Sequence, residues 1–219
     1  MRFALLPAKP IALAKSRLAP DLPDDDRRAV SLAMFQDVLE SLLRASSVEA
    51  VAVVTADKRL LDLALRMRAI AIDEREPLGL NGAVAVGTNR CLELGASSVL
   101  VVLSDLPLVM PAEIDAIHEA LPETPSVRLV RSHEGLGTNA ILRRPPRAIP
   151  TRFGGRSFHG HVTAAIEAGV PHTEIEIPAI AFDVDTIADL QGVLRSPRTT
   201  RTRVAAEKIG VDALRTARA

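Results

Sequence analysis

Three carboxylates in this 219-residue chain, Asp105, Asp183 and Asp185, occupy positions at which acidic side chains do chemistry. Asp105 follows the run 99–103, unbroken in apolar residues and rich in β-branched ones, which reads as a strand covered on both faces. Open α/β sheets bind ligands at the carboxyl ends of such strands, and Pro107 keeps the backbone there extended. Two readings stand at this point: an aspartate that binds a metal or substrate at the sheet edge, and one that only opens a turn. In Asp183-Val184-Asp185-Thr186 strand-like alternation places both carboxylates on one side, where they can share a cation. A capping role accounts for one of the two and not for both.

The complementary groups are cationic and glycine-rich. Lys9, Lys15 and Arg17 lie on one loop between prolines after the first predicted strand, suited either to phosphates or to solvent. In Gly79-Leu80-Asn81-Gly82 the amide of Asn81 can read a base edge or cap a helix. The turn Gly135-Leu136-Gly137-Thr138-Asn139 exposes backbone N–H groups and a hydroxyl, as anion nests do and as unliganded hairpins also do. Phe153-Gly154-Gly155-Arg156-Ser157 precedes a helix with Ser157 at its expected cap, an arrangement that favours an anion. His159 and His161 are two apart on that helix and face different ways; His118, His133 and His172 have no evident partners. There is no Gly-x-Ser-x-Gly elbow and no Cys/His pair, so the sequence does not suggest a covalent mechanism.

Alternating elements position these groups. Strands are expected at 3–6, 50–54, 69–73 and 99–103, with helices from Asp24 past Leu42, from after Thr55 (a plausible cap) to about 68, and from Asn81 to 95. Beyond Asp105 the expectation is a helix at 113–121, strands at 127–131, 140–142, 175–177 and 180–182, and helices at 157–168 and from 187. Short connections between alternating strands and helices predict an α/β Rossmann-like fold with a mostly parallel central sheet and helices on both faces. The dinucleotide fingerprint G-x-G-x-x-G is missing. Residues 1–195 read as one domain. Residues 196–219, with five Arg and one Lys against Glu207 and Asp212, read as a basic C-terminal extension, solvated or docked on a partner.

Composition narrows the function classes. Lys plus Arg and Asp plus Glu number 27 each, so no overall field points to nucleic acid or an anionic membrane. No apolar run reaches the length of a membrane span, and the proline-broken start MRFALLPAKP does not resemble a secretory signal, so the expected compartment is the cytoplasm. A single Cys91 excludes an internal disulfide framework and a cysteine metal cage.

Six segments, KPIALAKSRL (9–18), GLNGA (79–83), SDLPL (104–108), GLGTNAIL (135–142), FGGRSFHGH (153–161) and FDVDT (182–186), occur in the order seen in a known family. Over residues 3 to about 190 the chain resembles the guanylyltransferases that act on 2-phospho-L-lactate, phosphoenolpyruvate or 3-phosphoglycerate in coenzyme F-420 biosynthesis. The resemblance implies a compact nucleotidyltransferase fold related to those that guanylylate the molybdenum cofactor. It implies Mg²⁺ at Asp105, Asp183 and Asp185, the phosphoacid at Thr138, Gly154 and Ser157, GTP phosphates at Lys9, Lys15 and Arg17, and guanosine near Asn81. GTP and a small phosphorylated acid are the implied partners, with a homodimer and hand-over to the next pathway enzyme as further expectations. The turn begins Glu134-Gly135 where an Asp-Gly pair is usual, and Arg156 stands where a small residue is common, which leaves the acceptor open.

In the reaction so implied, an acceptor phosphate oxygen attacks the α-phosphorus of GTP and pyrophosphate leaves. Phosphates are already ionised near neutral pH, which agrees with the lack of an evident general base. The alternatives are a nucleotidyltransferase or glycosyltransferase for another acceptor, the latter with Asp183-Val184-Asp185 as its metal motif, and a non-catalytic GTP-binding protein.

Overall fold

The chain begins with strand β1 (Arg2–Pro7), followed by α1 (Asp24–Arg44), β2 (Ala50–Thr55), α2 (Lys58–Arg66), β3 (Ile70–Asp73), α3 (Gly79–Glu93), β4 (Ser98–Val102) and α4 (Pro111–His118). It continues through β5 (Ser126–Arg131), β6 (Thr138–Arg144), α5 (Ser157–Glu167), β7 (His172–Glu174), α6 (Pro178–Ala181), α7 (Ile187–Arg195) and α8 (Arg201–Ile209). This computed structural model describes residues 1–120 and 124–213; the expected end of the fourth helix at Leu121 and the last six residues of the basic extension lie outside the described residues.

The seven strands among the described residues join one sheet of order β3-β2-β1-β4-β6-β5-β7. β1 pairs in parallel with β2 and β4, β2 with β3, and β5 with β7, whereas β6 is antiparallel to both β4 and β5. Reversal of β6 brings its first residues, Thr138 and Asn139, to the edge where every other strand ends. The mostly parallel α/β sheet expected from the alternation is therefore present, and its carboxyl edge gathers the candidate residues.

Adjacent residues of β1 show why both faces must be covered. Leu6, Val53, Leu100 and Val102 pack against α1, α2 and α4 through Phe35, Leu39, Leu42, Leu60, Ile114 and Ile117. Leu5, Ala52, Val99 and Val101 pack on the opposite face against α3 and α5, through Val84, Phe158 and Ala165. The α3 contact is close: a Cβ at Gly87 would lie 2.5 Å from a Leu5 methyl carbon, so only glycine fits without displacement. A third apolar cluster joins Val30 and Met34 of α1 to Val184, Ile187, Leu190, Val193 and Ala206. Thus α1 lies only partly on the sheet, and its first turns carry α7 and α8.

Several local expectations change. Thr55 does not cap α2; Asp57 does, accepting from Arg59 N, while Thr55 Oγ1 accepts from Asp57 N. Asn81 lies inside the first turn of α3, and Ser157 is the first residue of α5 rather than its cap. The expected strands at 175–177 and 180–182 are replaced by β7, three residues earlier, and by the short helix α6, begun by Pro178 at a position where proline's fixed φ suits a helix. His118 has a partner after all in Ser47 Oγ, 3.0 Å away, and His133 Nδ1 lies 3.3 Å from Asp183.

The described part of the extension, residues 196–213, is docked on the chain's own α1 through the start of α8. Asp37 accepts from the backbone N–H of Arg201 and Thr202 and from the Thr202 hydroxyl, at 2.9, 2.9 and 2.7 Å. Thr202 and Ala206 are fully buried there.

Candidate active site

A cleft of about 810 Å³ runs along the carboxyl edge of the sheet. Lys9, Lys15, Arg17, Asp105, Thr138, Gly154, Ser157, Asp183 and Asp185 all line it, so the structure brings together nine of the ten expected residues. Asn81 is the exception. Its amide donates to Phe153 O at 2.8 Å and accepts from Phe153 N at 2.9 Å, so it ties α3 to the Phe153 loop.

The centre of the cleft is an ion-pair chain. Lys15 Nζ lies 2.7 Å from Asp105 Oδ2 and 2.9 Å from Asp185 Oδ1, and Arg17 Nη1 lies 2.8 Å from Asp185 Oδ2. Lys15 adopts a left-handed backbone, φ 53° and ψ 46°, a conformation that costs a non-glycine residue about 1–2 kcal/mol. The two carboxylates hold the side chain inward and offset that cost. Burial alone pushes the Lys15 ammonium pKa down, but Asp105 and then Asp185 outweigh burial and raise it. Burial likewise pushes Asp185 up, and Lys15 with Arg17 brings it below its ordinary value.

The aspartates reach this point through backbone pairing. Val184 N donates to Asp105 O at 3.1 Å, which lays the Asp183–Asp185 segment against the loop after β4. Thr186 caps α7, accepting from Asp189 N while Asp189 accepts from Thr186 N, so neither Asp183 nor Asp185 is needed as a cap. Asp183 instead accepts from Asn139 Nδ2 at 3.0 Å. The loop carrying the cations is fixed by Arg27, which donates to Ala14 O, and by Asp57, which accepts from Ile11 N. Lys9 forms no ion pair with any described residue and remains available to an anion.

Asp105 and Asp185 fit a hard divalent cation. Asp105 Oδ1 is buried without a hydrogen-bond partner, and two carboxylates are the oxygen-only donors Mg²⁺ accepts. Among the described residues no three His, Cys, Asp or Glu side chains form a ready-made metal cage. Such a cation would therefore draw its remaining ligands from substrate phosphates and water.

Beyond Asp105, the β6 side of the cleft presents hydroxyls. Ser157 Oγ accepts from Thr138 N at 2.8 Å, and Thr138 Oγ1 lies 3.0 Å from His161 Nδ1. His161 is fully buried, and burial, followed by Arg143 and Arg152, pushes its pKa down to about 4, so it is neutral in use. Gly154, with φ 153°, holds the loop in a conformation that suits glycine.

His161, Asn139 and Glu74 are functional candidates that the sequence reading passed over. His161 had a signal: it lies four residues after Ser157, the spacing that shares a helix face. Asn139 donates to Ile180 O, Ala181 O and Asp183, and nothing in the sequence announces this long-range task.

Comparison with known proteins agrees with this geometry. The described fold is shared with a nucleotidyl transferase from Methanothermobacter thermautotroptrophicus, at TM-score 0.68 and 16% identity over 88% of this chain and 95% of that one. In sequence the chain is 40% identical over 189 residues to the phosphoenolpyruvate guanylyltransferase of Sphaerobacter thermophilus, covering 86% of this chain and 90% of the relative. It is 33% identical over 197 residues to the 3-phospho-D-glycerate guanylyltransferase of Colwellia psychrerythraea, covering 89% and 93%. It is 29% identical over 200 residues to the 2-phospho-L-lactate guanylyltransferase of Methanothermobacter thermautotrophicus, covering 91% and 87%. The model of the family described as "Guanylyl transferase CofC like" matches residues 2–217, which takes in most of the basic extension. With its cations, carboxylates and hydroxyls along one edge of a nucleotidyltransferase sheet, the chain belongs to the CofC-like guanylyltransferase family.

Proposed function

We propose that this protein transfers GMP from GTP to a small phosphorylated acid, with phosphoenolpyruvate the first choice of acceptor, in the biosynthesis of coenzyme F-420. The observation that carries the reading is Lys15 held between Asp105 and Asp185 at the middle of the cleft, with Lys9 and Arg17 on one side and Thr138 and Ser157 on the other. Phosphoenolpyruvate is preferred because the relative at 40% identity bears that name.

Lys9, Lys15 and Arg17 bind and orient the triphosphate and neutralise charge on the departing pyrophosphate. The hydroxyls of Thr138 and Ser157, with the glycine loop, hold the acceptor anion. Its phosphate oxygen forms a bond to the α-phosphorus of GTP as the bond from that phosphorus to the pyrophosphate oxygen breaks. Both reactants are polyanions, so positioning and charge neutralisation carry the rate, and no protein base is needed. Asp105 and Asp185, with Asp183 adjoining, would hold Mg²⁺, which when bound would supply Lewis-acid stabilisation of phosphoryl charge.

The product is a phosphoanhydride open to hydrolysis, and a homodimer or direct hand-over to the next enzyme would protect it. Action in the cytoplasm is part of the same proposal; no helix among the described residues is long and apolar enough to cross a membrane.

The test incubates the protein with GTP, Mg²⁺ and each of the three acids separately and measures pyrophosphate. Release with phosphoenolpyruvate above the other two is expected. No release with any acid would overturn the reading, and nucleoside diphosphate in place of pyrophosphate would point to glycosyl transfer.

A further inference from the structure

At the β3 end of the cleft stands a carboxylate with no task in the machinery described so far. Glu74 directly follows β3, where its backbone N–H donates to Thr55 O at 3.3 Å. Only 8% of the residue is exposed, yet it lines the cleft, and Oε2 is buried without a hydrogen-bond partner. No described residue donates a hydrogen bond or an ion pair to either oxygen. An unpaired buried carboxylate oxygen is costly, which marks a group whose partner comes from elsewhere.

The sheet order says which part of a ligand arrives there. β3 is the edge strand and lies two places from β1, whose following loop holds Lys9, Lys15 and Arg17. Two inter-strand spacings amount to about 10 Å, comparable to the reach of a nucleoside from its phosphates. The same cleft is also lined by apolar residues, among them Leu60 of α2 and, shortly after Glu74 in the chain, Pro77, Leu80 and Ala83, walls that suit a flat ring. A carboxylate only accepts hydrogen bonds, and does so in pairs from two adjacent donors. Guanine offers such a pair in N1–H and the N2 amino group; hypoxanthine offers N1–H alone, and adenine has an acceptor at N1.

We infer that Glu74 reads the N1–H and N2 amino edge of guanine and makes this protein select GTP over other purine nucleotides. The inference rests on the proposed nucleotidyl transfer for the placement of the triphosphate, and its test needs no acceptor. Binding of GTP, ITP and ATP, each with Mg²⁺, is measured by calorimetry on the wild type, Glu74→Gln and Glu74→Ala.

The wild type should bind GTP at least roughly tenfold tighter than ITP, the effect of one hydrogen bond to a charged group, and ATP more weakly still. Both variants should lose about 10- to 100-fold in GTP affinity and bring the GTP-to-ITP ratio close to one. Their thermal midpoints should equal or exceed that of the wild type, since no protein contact of the carboxylate is removed and a costly unpaired buried oxygen is relieved. Equal binding of GTP and ITP by the wild type, or an unchanged ratio in the variants, would overturn the inference while leaving the transfer reaction standing. Glu74-dependent discrimination without turnover of any phosphoacid would keep the inference and remove the reaction.

Discussion

His161 donates its Nδ1 proton to Thr138 Oγ1 across 3.0 Å, because its other ring nitrogen, Nε2, is already accepting the backbone N–H of Arg152 at 2.8 Å. That fixes the tautomer and makes the Thr138 hydroxyl an acceptor toward the protein. Ser157 is in the same condition, since its Oγ accepts from Thr138 N. Each hydroxyl therefore keeps its own proton for a ligand in the cleft, and two such donors side by side suit a carboxylate or phosphate.

Thr138→Val should accordingly lower kcat/KM for the phosphoacid by about 10- to 100-fold and leave KM for GTP nearly unchanged. Thr138→Ser keeps a hydroxyl and should retain most activity. His161→Leu should reproduce much of the Thr138→Val loss, and the double variant should be little worse than either single one, because the two residues act as one unit. Steady-state kinetics with each substrate varied in turn checks this; additive losses would show that His161 acts independently of the hydroxyl.

Burial of neutral His161 also makes stability depend on pH. With its pKa pushed from near 6.5 to about 4, the folded state holds fewer protons than the unfolded chain between those values. The sign is that stability is fully present above the unfolded pKa and is lost as pH falls from about 6.5 toward about 4. The full loss is about 3 kcal/mol. Urea unfolding of the wild type and of His161→Gln across that window measures it, and the variant should show a clearly flatter profile.

How much of this was legible beforehand depends on the range of the interaction involved. β1, β2 and β4 are continuous apolar runs, which a strand buried on both faces requires, and Asp105 could be placed from the strand that ends beside it. The cations of the first loop and the Gly154 turn follow from local chemistry in the same way. Thr55 does not cap α2 because its hydroxyl is engaged locally by Asp57 N, whereas Asn81 and Ser157 are engaged by the distant Phe153 and Thr138. The expected strand at 180–182 falls partly in α6 because Ile-Ala-Phe is too short for periodicity to separate strand from helix. Glu74 opens the charged stretch Glu74-Arg75-Glu76 just after the third predicted strand, and nothing local says that one of the three is buried.

Lys15 should matter to both catalysis and the electrostatics of the cleft. Lys15→Met leaves Asp105 and Asp185 without the cation between them and removes the donor proposed for the phosphates, so kcat/KM should fall by roughly 100-fold or more. Lys15→Arg should restore little, because a planar guanidinium does not replace an ammonium placed between two carboxylates. Without that ammonium the carboxylates should depend on added Mg²⁺: the thermal midpoint of Lys15→Met should rise with Mg²⁺ more than that of the wild type. Equal responses would argue against Asp105 and Asp185 as metal ligands, and activity of the wild type after chelation would argue against any metal requirement.

The last prediction concerns the basic extension, whose charge suggested solvent or a partner but whose docking is internal. Asp37 is nearly buried on α1 and accepts three hydrogen bonds from the start of α8. Asp37→Ala leaves the buried Thr202 hydroxyl and two N–H groups unpaired, a cost of about 3 kcal/mol. For a chain of this size the thermal midpoint should drop by roughly 6–12 °C. Asp37→Asn keeps one acceptor and should fall between. None of these residues lines the catalytic cleft, so turnover at 25 °C should change by no more than about twofold while the variant is still folded. A midpoint that did not move would mean that α8 unfolds separately from the sheet. A loss confined to turnover would instead mean that the third apolar cluster, which joins α1, α7 and α8 to Val184, sets the position of Asp183 and Asp185.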